Sequence, residues 1–194
     1  MDFQLPNDTQ VVLASKSPRR RELLTEMGIP FTCITQEVDE TFPQGMHPHA
    51  AVVYLSRKKA EAVKAIAPEN AIIIASDTMV EVDGVPLGKP EDEADAARML
   101  WMLSGRHHNV HTGLCVMWGD KTLVGVDATD VFFFSLDQED IDAYIATGEP
   151  MDKAGSYGIQ GLGGKLISHI NGNLDTVIGL PCELLETLLK ELVK

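Results

Sequence analysis

The sequence predicts a single mixed α/β domain over residues 1–194, and three observations lead there. Short apolar runs of strand type, Val11–Leu13 and Ala71–Ala75, alternate with stretches of helical periodicity such as 48–67. The chain has 194 residues, enough to bury one full core. No internal repeat, linker or low-complexity segment interrupts the pattern.

In chain order, Val11–Leu13 reads as a strand and Pro18–Met27 as a helix closed by Gly28. Ser17 is a natural N-cap, and Pro18 suits the first helical position. Arg19, Arg20 and Arg21 then occupy the first turn, where free N–H groups and the helix dipole favour negative charge. Two readings stand at this point: a bound anion such as phosphate supplies the missing charge, or a basic surface patch happens to begin a helix. Ile29–Ile34 reads as a second strand, followed by an irregular acidic loop, Glu37–Pro43. The helix over about 48–67 carries Val52, Leu55, Val63 and Ile66 on its apolar face, with Lys58 and Lys59 pointing in different directions.

Ala71–Ala75 has the continuous apolar character of a strand buried on both faces, and Ser76-Asp77-Thr78 is expected to end it. A carboxylate just beyond the carboxyl end of such a strand is well placed for chemistry. Asp83-Gly84 marks a tight turn, 91–103 a helix, and 109–118 and 122–134 two strands joined at Gly119-Asp120. Ser135 is expected to cap a helix over 137–147. A Gly-rich polar loop over 148–164, a short strand near 166–170 and an amphipathic helix from Pro181 complete the chain.

Composition narrows the function. Hydrophobic residues make up 44% and charged residues 23%, as in ordinary globular proteins. A formal net charge of −13 argues against general nucleic-acid binding, and the scarce cations gather at 16–21 and 57–59. Cys33, Cys115 and Cys182 have no metal or redox spacing and read as buried free thiols of a reducing compartment. The opening Met1-Asp2-Phe3-Gln4-Leu5-Pro6 lacks signal-peptide character, and no apolar run reaches membrane-spanning length. The expectation is a cytoplasmic protein with neither nucleic-acid nor membrane partners.

Among candidate functional groups, Glu40 and Asp77 each sit in expected irregular backbone, where a divalent ion could bring them together. Hard oxygen ligands suit Mg²⁺ or Mn²⁺. By spacing alone Glu40 reads as a solvated side chain, and Asp77 equally as a ligand or a turn cap. Lys89, between Gly88 and Pro90, has a constrained direction, although the segment is not a Walker A loop. His107, His108 and His111 lie on strand-like sequence that puts His108 opposite the other two, which favours structural roles over zinc.

These stretches, taken together, resemble the Maf family of nucleoside triphosphate pyrophosphatases along nearly the whole chain. The matching blocks run from 13–20 through Asp39-Glu40, Lys59-Ala60, Ser76-Asp77-Thr78, Gly88-Lys89-Pro90 and Leu103-Ser104-Gly105. They continue through Gly148-Glu149-Pro150, 152–155, 157–161 and Gly179-Leu180-Pro181. Each block is weak alone, but in this order they are highly specific. The resemblance implies a Maf/Ham1-like elongated mixed sheet flanked by helices, a central nucleotide-binding cleft and a homodimer. It implies cleavage between the α- and β-phosphates of a nucleotide, with a divalent cation as cofactor. It assigns Asp77 as the base or water-positioning carboxylate, with Glu40 beside it on the metal. Ser15, Arg20, Lys59 and Lys89 would hold phosphate oxygens, and Arg19, Thr78 and Gln160 would influence substrate choice. Around Gly172–Thr176 the sequence departs from the family pattern, and no site role is carried over there.

Base choice follows from hydrogen-bond patterns. Uracil and thymine present acceptor, donor, acceptor on their pairing edge, which the donor and acceptor ends of Gln160 could meet at O4 and N3–H. A glutamate there would suit guanine, as in family members that look specific for 7-methyl-GTP. The chain therefore resembles the dTTP/UTP subfamily, modified pyrimidine nucleotides included. The alternatives are a Maf enzyme of different base specificity and a nucleotide-binding regulator of cell division with little turnover.

Overall fold

The computed structural model describes residues 5–6 and 9–194, so most of the N-terminal hexapeptide lies outside the described residues. A seven-stranded mixed sheet carries the architecture. Its strands are β1 (Val11–Leu13), β2 (Thr32–Cys33), β3 (Ile72–Val82), β4 (Val85–Leu87), β5 (His107–Trp118), β6 (Lys121–Phe133) and β7 (Ile167–Asn171). The order is β2-β1-β3-β5-β6-β7, with β4 paired to β3.

Strands β1, β2 and β3 are mutually parallel, with Val12 opposite Thr32 and Ile73. Parallel neighbours need helical crossovers. Helices α1 (Pro18–Glu26) and α2 (Pro48–Lys64) occupy those connections. Asp83 and Gly84 both have positive φ, 53° and 78°, as a two-residue hairpin turn requires, and β3 and β4 are antiparallel. Four further helices follow: α3 (Glu93–Leu103), α4 (Gln138–Ile145), α5 (Leu174–Ile178) and α6 (Cys182–Leu192).

The chain divides into two compact units. The first comprises Met1–Asp77, Thr112–Asp127 and Gly179–Lys194; the second comprises Thr78–His111 and Ala128–Ile178. The first is built on Val12, Val63, Ile73, Ala75, Cys115 and Met117. The second is built on Val80, Leu100, Leu103, Phe133, Ile141 and Tyr157. Strands β3, β5 and β6 each pass from one unit into the other.

Several expectations need correction. Strand β3 does not stop at Ala75; it continues through Ser76, Asp77 and Thr78 to Val82, so Asp77 is a buried mid-strand residue. The polar trio resembles a strand terminator, but its backbone stays in the ladder. Only Thr32–Cys33 of the expected second strand pairs, at the sheet edge, and Cys33 is exposed rather than buried. Ile66 lies beyond the end of α2 and is 55% exposed, off the apolar face. Asp137, not Ser135, caps α4, in a reciprocal capping box with Asp140. The Gly-rich segment folds into three short 3-10 turns, and α5 lies in the stretch left without an element.

Candidate active site

In the first unit, the chain leaves β1 at Leu13 and turns through Ser15 into α1. Ser15 is buried, and its Oγ accepts the Ser17 N–H at 3.1 Å. Ser17 Oγ in turn accepts the Arg20 N–H at 3.4 Å, while Pro18 opens the helix. No acidic side chain stands in the first turn of α1. The Arg20 side chain folds inward: Nε donates to the Gly179 carbonyl at 2.9 Å and Nη1 to the Ser76 carbonyl at 2.8 Å. Ser76 Oγ donates to the same Gly179 carbonyl at 2.9 Å. A guanidinium has five N–H donors, so these two bonds fix its plane without exhausting it. Desolvation pulls the Arg20 pKa below its ordinary value, against the attraction of Asp77; Arg19 adds to the fall and Glu40 opposes it.

Consecutive lysines of α2 grip consecutive acids of the Glu37–Pro43 loop. Lys58 Nζ lies 3.6 Å from Asp39, and Lys59 Nζ lies 2.8 Å from Glu40. Asp39 is itself set by an Asx turn, accepting the Thr41 N–H at 3.0 Å and the Thr41 hydroxyl at 2.7 Å. Lys59 also pairs directly with Asp77, so one ammonium bridges the two carboxylates. Lys58 instead lies 5.9 Å from the centre of the Tyr54 ring, away from Asp77 as the sequence implies. Burial raises the Asp77 pKa above the usual aspartate value, although Lys59 and Arg20 pull the other way. A base whose pKa moves upward approaches the range where proton transfer is efficient.

The structure thus brings Ser15, Arg20, Glu40, Lys59 and Asp77 into one connected cluster. Arg19 neighbours Arg20 on α1 and is half-buried. The three remaining candidates belong to the second unit. Thr78 follows Asp77 in β3 and, by strand alternation, leaves from the opposite face. Lys89 is exposed just after β4, and the preceding Gly88 carbonyl accepts the Gly155 N–H at 3.0 Å. Gln160 is exposed on the turn closed by the Gly161 N–H to the Gly158 carbonyl at 3.4 Å. The Gly88 to Gly155 bond ties the Lys89 segment to the same irregular stretch that carries Gln160.

His108 and His111 are buried on β5, whereas His107 is exposed there. Burial lowers the His108 pKa to about 3, so its ring is neutral, and Nε2 lies 2.7 Å from the Tyr157 hydroxyl. Glu81, which the sequence did not single out, is buried on β3 and accepts the Asn109 amide at 3.2 Å. Burial opposes its ionisation but is outweighed by hydrogen bonds from the Gly84 N–H, Asn109 and His111. It braces the β3–β4 turn, and nothing in the local sequence marks it. Among the described residues, no group of three or more His, Cys, Asp or Glu could hold a metal ion. The oxygen donors at hand are the carboxylates of Glu40 and Asp77, whose chemistry would suit Mg²⁺ or Mn²⁺ completed by substrate phosphates and water.

A family model described as Maf-like protein matches residues 10–192. The chain belongs to the Maf family. A relative named dTTP/UTP pyrophosphatase from Bacillus cereus is 46% identical over 184 residues, 94% of this chain and 95% of its own. A relative of the same name from Bacillus cytotoxicus is 46% identical over 180 residues, 93% and 94% of the two chains. The solved nucleoside-triphosphatase / dITP/XTP pyrophosphatase of Mycobacterium abscessus aligns over 96% of this chain and 99% of its own, at 15% identity and TM-score 0.47.

Proposed function

We propose that this Maf protein hydrolyses dTTP and UTP to the nucleoside monophosphate and pyrophosphate. The observation that carries the chemistry is the Lys59 ammonium held between Asp77 and Glu40, beside a helix N-terminus that lacks acidic residues. Such a site offers cations and N–H groups to phosphate oxygens and a buried carboxylate to the attacking water. The base preference draws support from the relatives named dTTP/UTP pyrophosphatase and from the paired donor and acceptor of Gln160.

In this reading Asp77 orients a water and takes its proton as the oxygen attacks the α-phosphorus. Ser15, Arg20, Lys59 and Lys89 hold phosphate oxygens, and the charged contacts strengthen as negative charge moves onto the departing pyrophosphate. Asp77 and Glu40 would hold the Mg²⁺ or Mn²⁺, which when bound supplies charge neutralisation of the triphosphate. Arg19, Thr78 and Gln160 influence substrate choice, with Gln160 reading the base. The whole chain acts as one functional domain, in a homodimer, in a reducing cytoplasm that keeps Cys33, Cys115 and Cys182 free.

Pyrophosphate release from a nucleotide panel that includes modified pyrimidines and 7-methyl-GTP tests the proposal. Metal-dependent release fastest with dTTP and UTP is expected, and Gln160→Glu should shift preference toward guanine nucleotides. No release from any triphosphate would make the chain a binder, and a guanine preference in the parent would overturn the base assignment.

A further inference from the structure

The carboxylate of Glu149 has no place in the proposed chemistry, yet it is among the most heavily bonded acids of the second unit. It accepts the Leu162 N–H at 2.9 Å, the Gly163 N–H at 3.1 Å and the Tyr144 hydroxyl at 2.9 Å. Tyr144 Oη in turn accepts the Gly158 N–H at 3.1 Å. Three backbone donors, one before and two after Gln160, therefore converge on a Glu149–Tyr144 pair. Tyr144 stands on α4 and is buried, and burial above all raises its pKa, so the hydroxyl keeps the proton it donates. Glu149 opens the next 3-10 turn, where Lys153 Nζ caps its backbone carbonyl at 2.7 Å.

The glycines between 158 and 164 follow from this wrapping. A Cβ on Gly161 would fall on the Glu149 carboxylate, and one on Gly163 would lie 2.5 Å from Tyr144 Oη. Only glycine at those two positions lets the chain close so tightly on the half-buried Glu149 carboxylate and the Tyr144 hydroxyl. Ile159 and Gln160 form the tip of the turn that remains.

We infer that Glu149, through Tyr144, is the positioning residue of the base-reading turn: it fixes Gly158 and Gly163 so that the Gln160 amide meets the nucleobase in one orientation. This rests on the reading of Gln160 as the base-selecting side chain. A pairing edge is told apart only by donors and acceptors held in place, because a mobile amide can turn to suit either pattern. Ionised Glu149 accepts from every group around it, whereas a glutamine would turn an NH₂ toward an N–H.

The experiment compares kcat/KM for UTP with that for GTP in the parent, Glu149→Gln, Tyr144→Phe, Gln160→Ala and the Glu149→Gln/Gln160→Ala double variant. Glu149→Gln is expected to reduce the UTP:GTP ratio about tenfold. The loss should appear mainly in the KM for UTP, with kcat largely kept. Tyr144→Phe should act in the same direction and less strongly. The double variant should discriminate no worse than Gln160→Ala alone. Should Glu149→Gln misfold by circular dichroism, Gly161→Ala displaces the same carboxylate and should give the same ratio. A ratio unchanged in Glu149→Gln or Gly161→Ala, while Gln160→Ala loses it, overturns the positioning role and leaves the base reading intact. An unchanged ratio in Gln160→Ala overturns both.

Discussion

Asp77 binds its proton more tightly in the folded chain than an ordinary aspartate does, chiefly because it is buried. Its contribution to stability is therefore full at low pH and falls as pH rises from the ordinary aspartate range through the raised value. At neutral pH the ionised side chain works against the fold. Asp77→Asn should thus melt no lower than the parent at pH 7 while pyrophosphate release drops by about 10²- to 10⁴-fold. A thermal melt and a turnover assay on one preparation check both halves. Lys59 lowers the Asp77 pKa by charge and hydrogen bond. Replacing it with methionine should move the acid limb of the kcat/KM profile to higher pH, and a limb moved downward would show that the ammonium is not Asp77's partner in solution. At this scale the sequence was only partly legible. Ser17 and Pro18 announce their helix start by residue type alone. Nothing local announces that Lys59 meets Glu40 and Asp77, because those contacts join distant segments; the family resemblance supplied the grouping.

Secondary structure was more legible where composition and packing agree. The Asp83-Gly84 turn and the strand pair around Gly119-Asp120 stand where their residues put them. Ser76-Asp77-Thr78 looks polar enough to break strand β3, yet Arg20, Lys59 and the Gly179 carbonyl satisfy Ser76 and Asp77 in place. Tertiary partners override local propensity there. Gly113 is an element-scale demand of another kind. A Cβ at that position of β5 would lie 2.5 Å from the Val52 carbonyl carbon and oxygen and 2.7 Å from the Val53 nitrogen, all backbone atoms of α2. Gly113→Ala must therefore push helix and strand apart, at a cost of about 1–3 kcal/mol. The melting temperature should fall by roughly 2–4 °C for each kcal/mol in a chain of this length. An unchanged melt would mean that α2 yields more easily than its packing implies.

At the scale of the molecule, each compact unit carries one tryptophan, Trp118 in the first and Trp101 in the second. Because β3, β5 and β6 each run through both, loss of the ladder in one unit removes strand continuity from the other. In each of the Trp101→Phe and Trp118→Phe variants, the fluorescence midpoint should coincide with the far-UV circular dichroism midpoint of the same protein, as two-state behaviour requires. Separated midpoints would mean that the units melt independently. The bridging ammonium has an effect at this scale too. Arg20 and Lys59 balance Glu40 and Asp77 charge for charge, so this cluster is neutralised by the chain's own cations. Proteins whose folds lean on a bound ion unravel when a chelator strips it. On the proposed metal-assisted chemistry, this one should keep its melting temperature in EDTA while its turnover stops, so that dialysis against chelator would act as a reversible off-switch rather than a denaturant.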